Sequence, residues 1–364
     1  MKKIHCFIAS LAGGGAEHQI AVLSELLSEE GYDVTLVTYN DIPDHYNLPS
    51  AVKRIRLNVR GNRIMKQIKI MKYLITIKTD CLISFREQMN FIALWAMMFR
   101  PFIKVIAGER NFTIGQPTRY LWWNMKLLYR RANYIVPNNY SQENYLIKHA
   151  PHLKNKIHTI INYTDLHSFF AIPLPPFNEV TYIGVFARFF PQKNYRRFAY
   201  AVKKLKELNS VKFKIVWFGT FYEKDGSEKI GYKEMREIVN DLDITDVLEL
   251  RNSVKNVHKE ITNFHALCLP SLYEGFSNSI AEGICSGRPM LVSNVSDNSI
   301  MVKEGVNGFL FNPTSEDEIV TALLNFINLT YQQKVDMGNK SRDIAETLFD
   351  RNNFVNSYIK LIEQ

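Results

Sequence analysis

At 364 residues the chain is too long for one ordinary single-core domain and is sized for two of similar length. Its composition, 46% hydrophobic and 22% charged with no low-complexity run or obvious repeat, excludes disordered, fibrous and solenoid classes. The formal charge of +9 implies an anionic partner, whether nucleic acid, lipid head groups or a phosphorylated substrate.

Lys2 and Lys3 ahead of the apolar run Ile4 to Ala12 look superficially like a signal peptide. The run is short, contains His5 and flows into Gly13-Gly14-Gly15-Ala16-Glu17-His18, so it reads as a buried first strand, Ile4–Ser10, and its turn. A helix over Ala16–Glu29 follows, with Ile20, Leu23, Leu26 and Leu27 on one face, and then the strand Val34–Thr38. This βαβ order predicts a parallel sheet, continued by strands at Cys81–Ser84, Lys104–Ala107, Tyr134–Val136 and Lys156–Ile161. The longest other apolar stretch, Phe91 to Ala107, is broken by Arg100 and Pro101, and no membrane span is expected. The Pro-rich segment Ala171 to Phe177 reads as a linker. Beyond it a second series of strands is expected at Val180–Phe186, Phe213–Phe218, Val247–Leu250, Ala266–Leu269, Met290–Val292 and Gly308–Phe311, then a last helix around Phe349–Ile362. The expected organisation is α/β: a Rossmann-like domain over 1–168, a linker over 169–179, a second Rossmann-like domain over 180–345 and a C-terminal helix in 346–364. Such sheets bind ligands at the carboxyl ends of their strands, which predicts an active site in a cleft between the two domains. The cysteines Cys6, Cys81, Cys268 and Cys285 show no ligand spacing and read as free core thiols of a reducing compartment. The histidines show no metal spacing either, and His5 and His265 read as packed or surface residues.

The densest chemistry lies in Glu274-Gly275-Phe276-Ser277-Asn278-Ser279-Ile280-Ala281-Glu282, between the strand Ala266–Leu269 and a short helix ended by Gly287-Arg288-Pro289. Gly275 allows close backbone approach, the free N–H groups at the helix start suit a diphosphate, and Glu274 and Glu282 can accept from sugar or ribose hydroxyls. The plainer alternative is a surface loop with two solvated acids. After the strand Val180–Phe186 come Arg188 and Lys193, two cations beside a helix start, suited to a leaving diphosphate without a metal. The alternative is that both belong to the general basic surface. Gly13-Gly14-Gly15 matches neither the dinucleotide fingerprint nor the P-loop, which disfavours an NAD enzyme or an NTPase; it is a phosphate-type turn or a packing turn.

The two glutamates with seven residues between them, in the form Glu-Gly-Phe-Ser-Asn followed by Glu, resemble the signature of the retaining GT-B glycosyltransferases of family 4 (group 1). The resemblance implies two Rossmann-like domains facing across a cleft, with Glu282 on the nucleotide ribose and Glu274 beside the donor sugar. Gly275, Phe276, Ser277 and Asn278 would then put backbone groups near sugar and diphosphate. Gly184, Arg188 and Lys193 are similar to the family's Gly-x-x-x-Arg and following Lys. Gly14, Gly15, Ala16 and Glu17 resemble its Gly-Gly-Ala-Glu turn, with His18 where a basic residue often follows. Gly108-Glu109-Arg110-Asn111 is similar to a subgroup that extends lipid-linked bacterial glycans, where many relatives have histidine. This makes Glu109 and Arg110 acceptor-side candidates, a structural Glu–Arg pair being the alternative. Arg251-Asn252 stands where relatives commonly have a glycine that lets backbone read the base. The last helix returns to the first domain in such relatives.

Lys53, Arg54, Arg56, Arg60, Arg63, Lys66, Lys69 and Lys72 occur with Ile64, Ile68, Ile70, Met71 and Leu74, and Tyr120, Trp122 and Trp123 lie among Arg119, Lys126, Arg130 and Arg131. These stretches suit an anionic lipid surface or are solvated helix faces. No nucleic-acid-binding motif accompanies the charge, so no nucleic-acid partner is expected. The resemblance therefore implies transfer of a hexosyl or N-acetylhexosaminyl group, with retention, from a UDP-sugar to a hydroxyl of a lipid-diphosphate-linked glycan. No metal cofactor is implied. The setting would be lipopolysaccharide O-antigen or capsule assembly, by a cytoplasmic protein peripheral to the inner face of the cell membrane. Another GT-B enzyme such as a UDP-sugar epimerase, a glycosidase using Glu274 and Glu282, and a basic nucleic-acid-binding protein are the alternatives.

Overall fold

A computed structural model of the chain describes residues 1–12, 14–176, 179–208, 212–223 and 225–364, with the Arg63 side chain outside the description. Gly13 of the glycine turn and Phe177 of the Pro-rich segment therefore lie outside the described residues. The chain divides into two compact units: residues 1–163 with 351–364, and residues 164–350.

The first unit contains β1 (Lys3–Phe7), α1 (Gly15–Glu29), β2 (Asp33–Thr38), β3 (Lys53–Arg56), α2 (Arg63–Thr76), β4 (Cys81–Phe85), α3 (Glu87–Met97), β5 (Lys104–Glu109), α4 (Arg119–Lys126), β6 (Tyr134–Pro137) and α5 (Tyr140–His149). Its six strands are parallel in the order β3-β2-β1-β4-β5-β6, with the topological switch between β1 and β4. Alternate strand residues enter two cores. Phe7, Val37, Leu82 and Val105 meet the helices α2 to α5, while Cys6, Leu36, Ile83 and Ile106 meet α1 and the chain's last helix. Both faces are covered, which is why the inner strands of the sheet are predominantly apolar.

The second unit contains β7 (Thr181–Phe186), α6 (Tyr195–Glu207), β8 (Phe213–Gly219), α7 (Ile230–Asp241), β9 (Leu248–Asn252), α8 (Val257–Ile261), β10 (Ala266–Leu269), α9 (Asn278–Cys285), β11 (Met290–Ser293), α10 (Asn298–Met301), β12 (Gly308–Phe311), α11 (Glu316–Ile327) and α12 (Tyr331–Leu348). Its parallel sheet has the order β12-β11-β10-β7-β8-β9 and switches between β10 and β7. The final helix α13 (Arg351–Glu363) belongs to the first unit. Phe354, Val355, Tyr358, Leu361 and Ile362 recur at helical spacing and are buried, and Arg351 pairs with Glu29 and Glu30 of α1.

Four expectations are corrected. Lys156–Ile161 is not a strand: a 3₁₀ turn occupies Pro151–Lys156, Ile157 makes one isolated parallel bridge with Ile135 of β6, and His158 and Ile160 donate to the Ile135 and Pro137 carbonyls. Lys53, Arg54 and Arg56 do not belong to a cationic helix face but form the edge strand β3, where Arg54 and Arg56 pair with Asp44 and Lys53 with Asp33. Ile70 and Leu74 are core residues. The Pro-rich segment is no free linker, because the wholly buried Arg288 donates to Ile172 O at 2.6 Å and Pro173 O at 3.2 Å. The first crossing between units falls upstream, between Tyr163 and Thr164.

Candidate active site

In the second unit the loops after β7 and β10 flank the sheet's switch point, and four contacts lace them together. Ser279 Oγ, in the first turn of α9, donates to Phe186 O at the end of β7 at 3.0 Å. Leu272 N–H donates to Gln192 O at 2.8 Å, and Gln192 Nε2 returns a bond to Tyr273 O at 2.9 Å. The fourth is an ion pair, Lys193 Nζ to Glu274 Oε1 at 2.5 Å, with side chains only 15% and 8% exposed. The sequence assigns Lys193 to the diphosphate and Glu274 to the sugar; the structure joins the two, so each fixes the other while the ammonium keeps donors to spare.

The start of α9 points the same way. Ser277 is its N-cap but makes no side-chain capping bond, and the N–H groups of Asn278, Ser279 and Ile280 precede the first helical donor, Ala281, whose N–H bonds Ser277 O. An uncapped helix start with a partial positive charge suits an anion. One turn along from Asn278, Glu282 is half-buried; its carboxyl has no hydrogen-bond or ion-pair partner among the described residues, and burial pushes it up to about 7. Arg188, two residues beyond Phe186, is exposed, lies 4.9 Å over the Phe190 ring and has no carboxylate partner among the described residues. The unit thus supplies an unpaired guanidinium, a donating helix end and a poised carboxyl, an arrangement able to hold an anionic group beside hydroxyls.

Other sequence candidates have packing roles. Gly184 lies inside β7, where a Cβ would come within 2.8 Å of the Phe264 ring. Gly275 links Glu274 to Phe276, which is buried edge-on to Phe349 at 6.1 Å, so from Phe276 the backbone alone is free for a ligand. Arg251, expected beyond the strand, is within β9 and paired with Glu249 at 2.6 Å. His5 and His265 are buried, with their imidazoles pushed down to about 4 by burial.

The corresponding switch point of the first unit is differently furnished. Gly14 is the N-cap of α1 and Gly15 its first residue; a Cβ on Gly14 would lie 2.3 Å from the Glu17 carboxylate. Glu17 pairs with Arg86 Nη1 at 3.2 Å. Arg86, at the end of β4, has φ 85° and ψ 144°, a left-handed extended conformation that L-residues rarely adopt. Sequence reasoning missed it, because an arginine between strand and helix carries no conformational signature.

The structural Glu109–Arg110 pair is corrected, because each side chain has other partners. β5 runs on to Glu109, which takes the carboxyl out of reach of solvent. There Oε1 accepts from Asn90 Nδ2 at 2.8 Å and from the Tyr129 hydroxyl, and burial, with Glu87 nearby, pushes the carboxyl up to about 8. Arg110 instead donates to Asn162 Oδ1 at 3.2 Å and to Tyr358 of α13, with its guanidinium 3.8 Å over the Phe85 ring. Both side chains are thus engaged within the first unit, and among the described residues they make no ion pair with each other.

The model of the Glycosyltransferase Family 4 domain matches residues 13–168, and that of Glycosyl transferases group 1 matches residues 173–344. The chain is 25% identical over 306 residues, 79% of each chain, to the N-acetylgalactosamine-N,N'-diacetylbacillosaminyl-diphospho-undecaprenol 4-alpha-N-acetylgalactosaminyltransferase of Campylobacter jejuni. It is 34% identical over 140 residues, 38% of this chain and 34% of the relative, to the UDP-Gal:alpha-D-GlcNAc-diphosphoundecaprenol alpha-1,3-galactosyltransferase of Escherichia coli. The sucrose-phosphate synthase of Thermosynechococcus elongatus superposes with TM-score 0.83 at 14% identity, over 100% of this chain and 99% of that one. Two parallel-sheet units, with both family models in register, make this chain a glycosyltransferase of family 4, group 1, with GT-B architecture.

Proposed function

We propose that the chain transfers a hexose or N-acetylhexosamine, with retention, from a UDP-sugar to a hydroxyl of a lipid-diphosphate-linked glycan. The setting is bacterial surface polysaccharide assembly, O-antigen or capsule, at the inner face of the cell membrane. The observation that carries the reading is the laced switch point of the second unit, whose two adjoining loops carry the uncapped start of α9, the Lys193–Glu274 pair and Arg188, which has no carboxylate partner among the described residues. The similarity to two transferases whose names specify diphospho-undecaprenol-linked glycans supports the acceptor class.

In this reading the α9 N-terminus, Arg188 and the spare donors of Lys193 stabilise the charge that grows as UDP departs. That is the role a metal plays in other transferases, and none is needed here. Glu274, held by Lys193, orients the donor sugar, and Glu282 receives the ribose hydroxyls. Departure and attack occur on one face of the sugar, which preserves the anomeric configuration. The test is incubation with a panel of UDP-sugars and a short-chain polyprenyl-diphosphate N-acetylglucosamine acceptor, with the product read by mass spectrometry and NMR. A glycosylated acceptor that keeps the donor's anomeric configuration is expected; an inverted product, or donor turnover with the acceptor untouched, would overturn it.

A further inference from the structure

The charge of the chain is concentrated in one place. Residues 53–130 contain sixteen Lys and Arg against three acids, a surplus of 13 that exceeds the chain's +9, so the remainder is net −4. Of the three acids, Glu87 and Glu109 are buried, which leaves Asp80 as the one exposed carboxylate of this segment. Much of the segment is the layer of helices α2, α3 and α4 on one face of the first unit's sheet.

The outward side of that layer is apolar where solvent should favour polar residues. On α3 Trp95 is 37% exposed, and in the turns that follow the helix Phe99 is 63% exposed and Phe102 100%. On α2, Ile64 and Ile68, one turn apart, are 68% and 47% exposed, and on α4 Trp123 is 42% exposed. The helices are neighbours: Phe91 packs on Trp95 and on Tyr120 of α4, and Gln67 of α2 donates to the Tyr120 hydroxyl. Among these apolar residues stand Lys66, Lys69, Lys72 and Lys126, none with a carboxylate in ion-pair reach among the described residues.

We propose that the outward face of α2, α3 and α4 is a membrane-docking surface that seats on an anionic bilayer. Phe99, Phe102, Ile64 and Trp123 enter the interface and the lysines contact lipid head groups. The charge identifies an anionic partner, and the protruding aromatic and aliphatic side chains need an apolar phase beneath that charge, which a bilayer has and a nucleic acid backbone lacks. The proposal rests on the reading that the acceptor is lipid-linked, since that acceptor would be met at the same surface.

The experiment is co-sedimentation of the full chain with vesicles of phosphatidylcholine alone and of phosphatidylglycerol and phosphatidylcholine in equal parts, at low and high salt. A UDP titration and a thermal melt are run on each protein. Phe99→Ser with Phe102→Ser, and separately Lys66→Glu with Lys69→Glu, alter the face without touching the donor unit. Salt-sensitive binding to the anionic vesicles, weakened at least about tenfold in each pair while melting and UDP binding stay unchanged, is the expected result. Equal binding to both vesicle types, anionic-vesicle binding that survives both pairs, or tighter binding to single-stranded RNA than to vesicles would overturn it. So would a dimer that the Phe pair dissolves while vesicle binding persists. Loss of UDP binding by the wild type would instead count against the transferase reading, so the two failures are distinguishable.

Discussion

The two switch points share one strand topology and end in opposite chemistry. In the second unit, the loops after β7 and β10 leave the Arg188 guanidinium, the Glu282 carboxyl and the first N–H groups of α9 without a hydrogen-bond or ion-pair partner among the described residues. In the first unit, the groups at the ends of β1, β4 and β5 largely satisfy one another: Glu17 binds Arg86, Glu109 binds Asn90 and Tyr129, and Arg110 binds Asn162 and Tyr358. Sheet order alone therefore does not say which unit carries the anion chemistry; the loops and their unspent donors do.

The sharpest way to break this comparison is to remove the unpaired cation. Arg188→Ala should lower the transfer rate by roughly 10²–10³, as loss of a donor to a developing anion does. Because the residue is exposed, its melting temperature should not change; steady-state kinetics beside a thermal melt reads both. A rate within a few-fold of wild type would remove the asymmetry between the units.

The next effect concerns stability. Arg288 is wholly buried and serves only carbonyls, those of Ile261, Ile172, Ser286 and Pro173, and burial pushes its guanidinium down to about 10. Arg288→Ala takes this donor from the Ile172 and Pro173 carbonyls, while those of Ile261 and Ser286 keep backbone N–H donors, and should cost about 3 kcal/mol in denaturant unfolding. An unchanged midpoint would mean that the Pro-rich segment is held by other contacts.

Glu282 supplies the pH test. Its folded carboxyl titrates near 7 rather than near its ordinary value of 4.5. Between these values the unfolded chain loses a proton that the folded chain keeps. The contribution is thus fully present below pH 4.5 and is lost as pH rises through about 7, a pH dependence that Glu282→Gln, with no titrating group there, lacks. If ribose hydroxyls bind the ionised form, UDP affinity should rise about tenfold from about pH 6 to pH 8, with proton release, and Glu282→Gln should flatten the profile. Calorimetry in two buffers of different ionisation enthalpy checks both.

The smallest effect lies at the first unit's switch point. Arg86→Gly relieves the positive-φ strain while Arg86→Ala keeps it, and both lose the Glu17 pair. The glycine variant should be the more stable by about 1 kcal/mol in chemical denaturation, with UDP binding equal in both. An alanine variant as stable as the glycine variant would show that the arginine backbone carries no strain.

Much of this was legible in the sequence because it is local. β1, β4 and β10 are predominantly apolar because the sheets bury their side chains, and the Glu274 to Glu282 segment holds loop, helix start and both carboxylates within nine residues. The edge strand β3 was disguised because Lys-Arg-Ile-Arg reads as basic surface, and its charges find Asp33 and Asp44 only once the strand pairs. Glu109 was misread because β5 runs two residues beyond the expected end, which turns a loop carboxyl into a core one. Arg288 appeared merely to end a helix, since the carbonyls it binds at Ile172 and Pro173 are more than a hundred residues away in the chain.

The most direct measurement is a calorimetric titration of UDP, with GDP and NAD as comparators, into wild type and into folded Arg188→Ala and Glu282→Ala variants. The account predicts UDP-selective binding that weakens in both variants. Folded wild-type protein that binds no nucleotide, or binding that both variants leave unchanged, would contradict it.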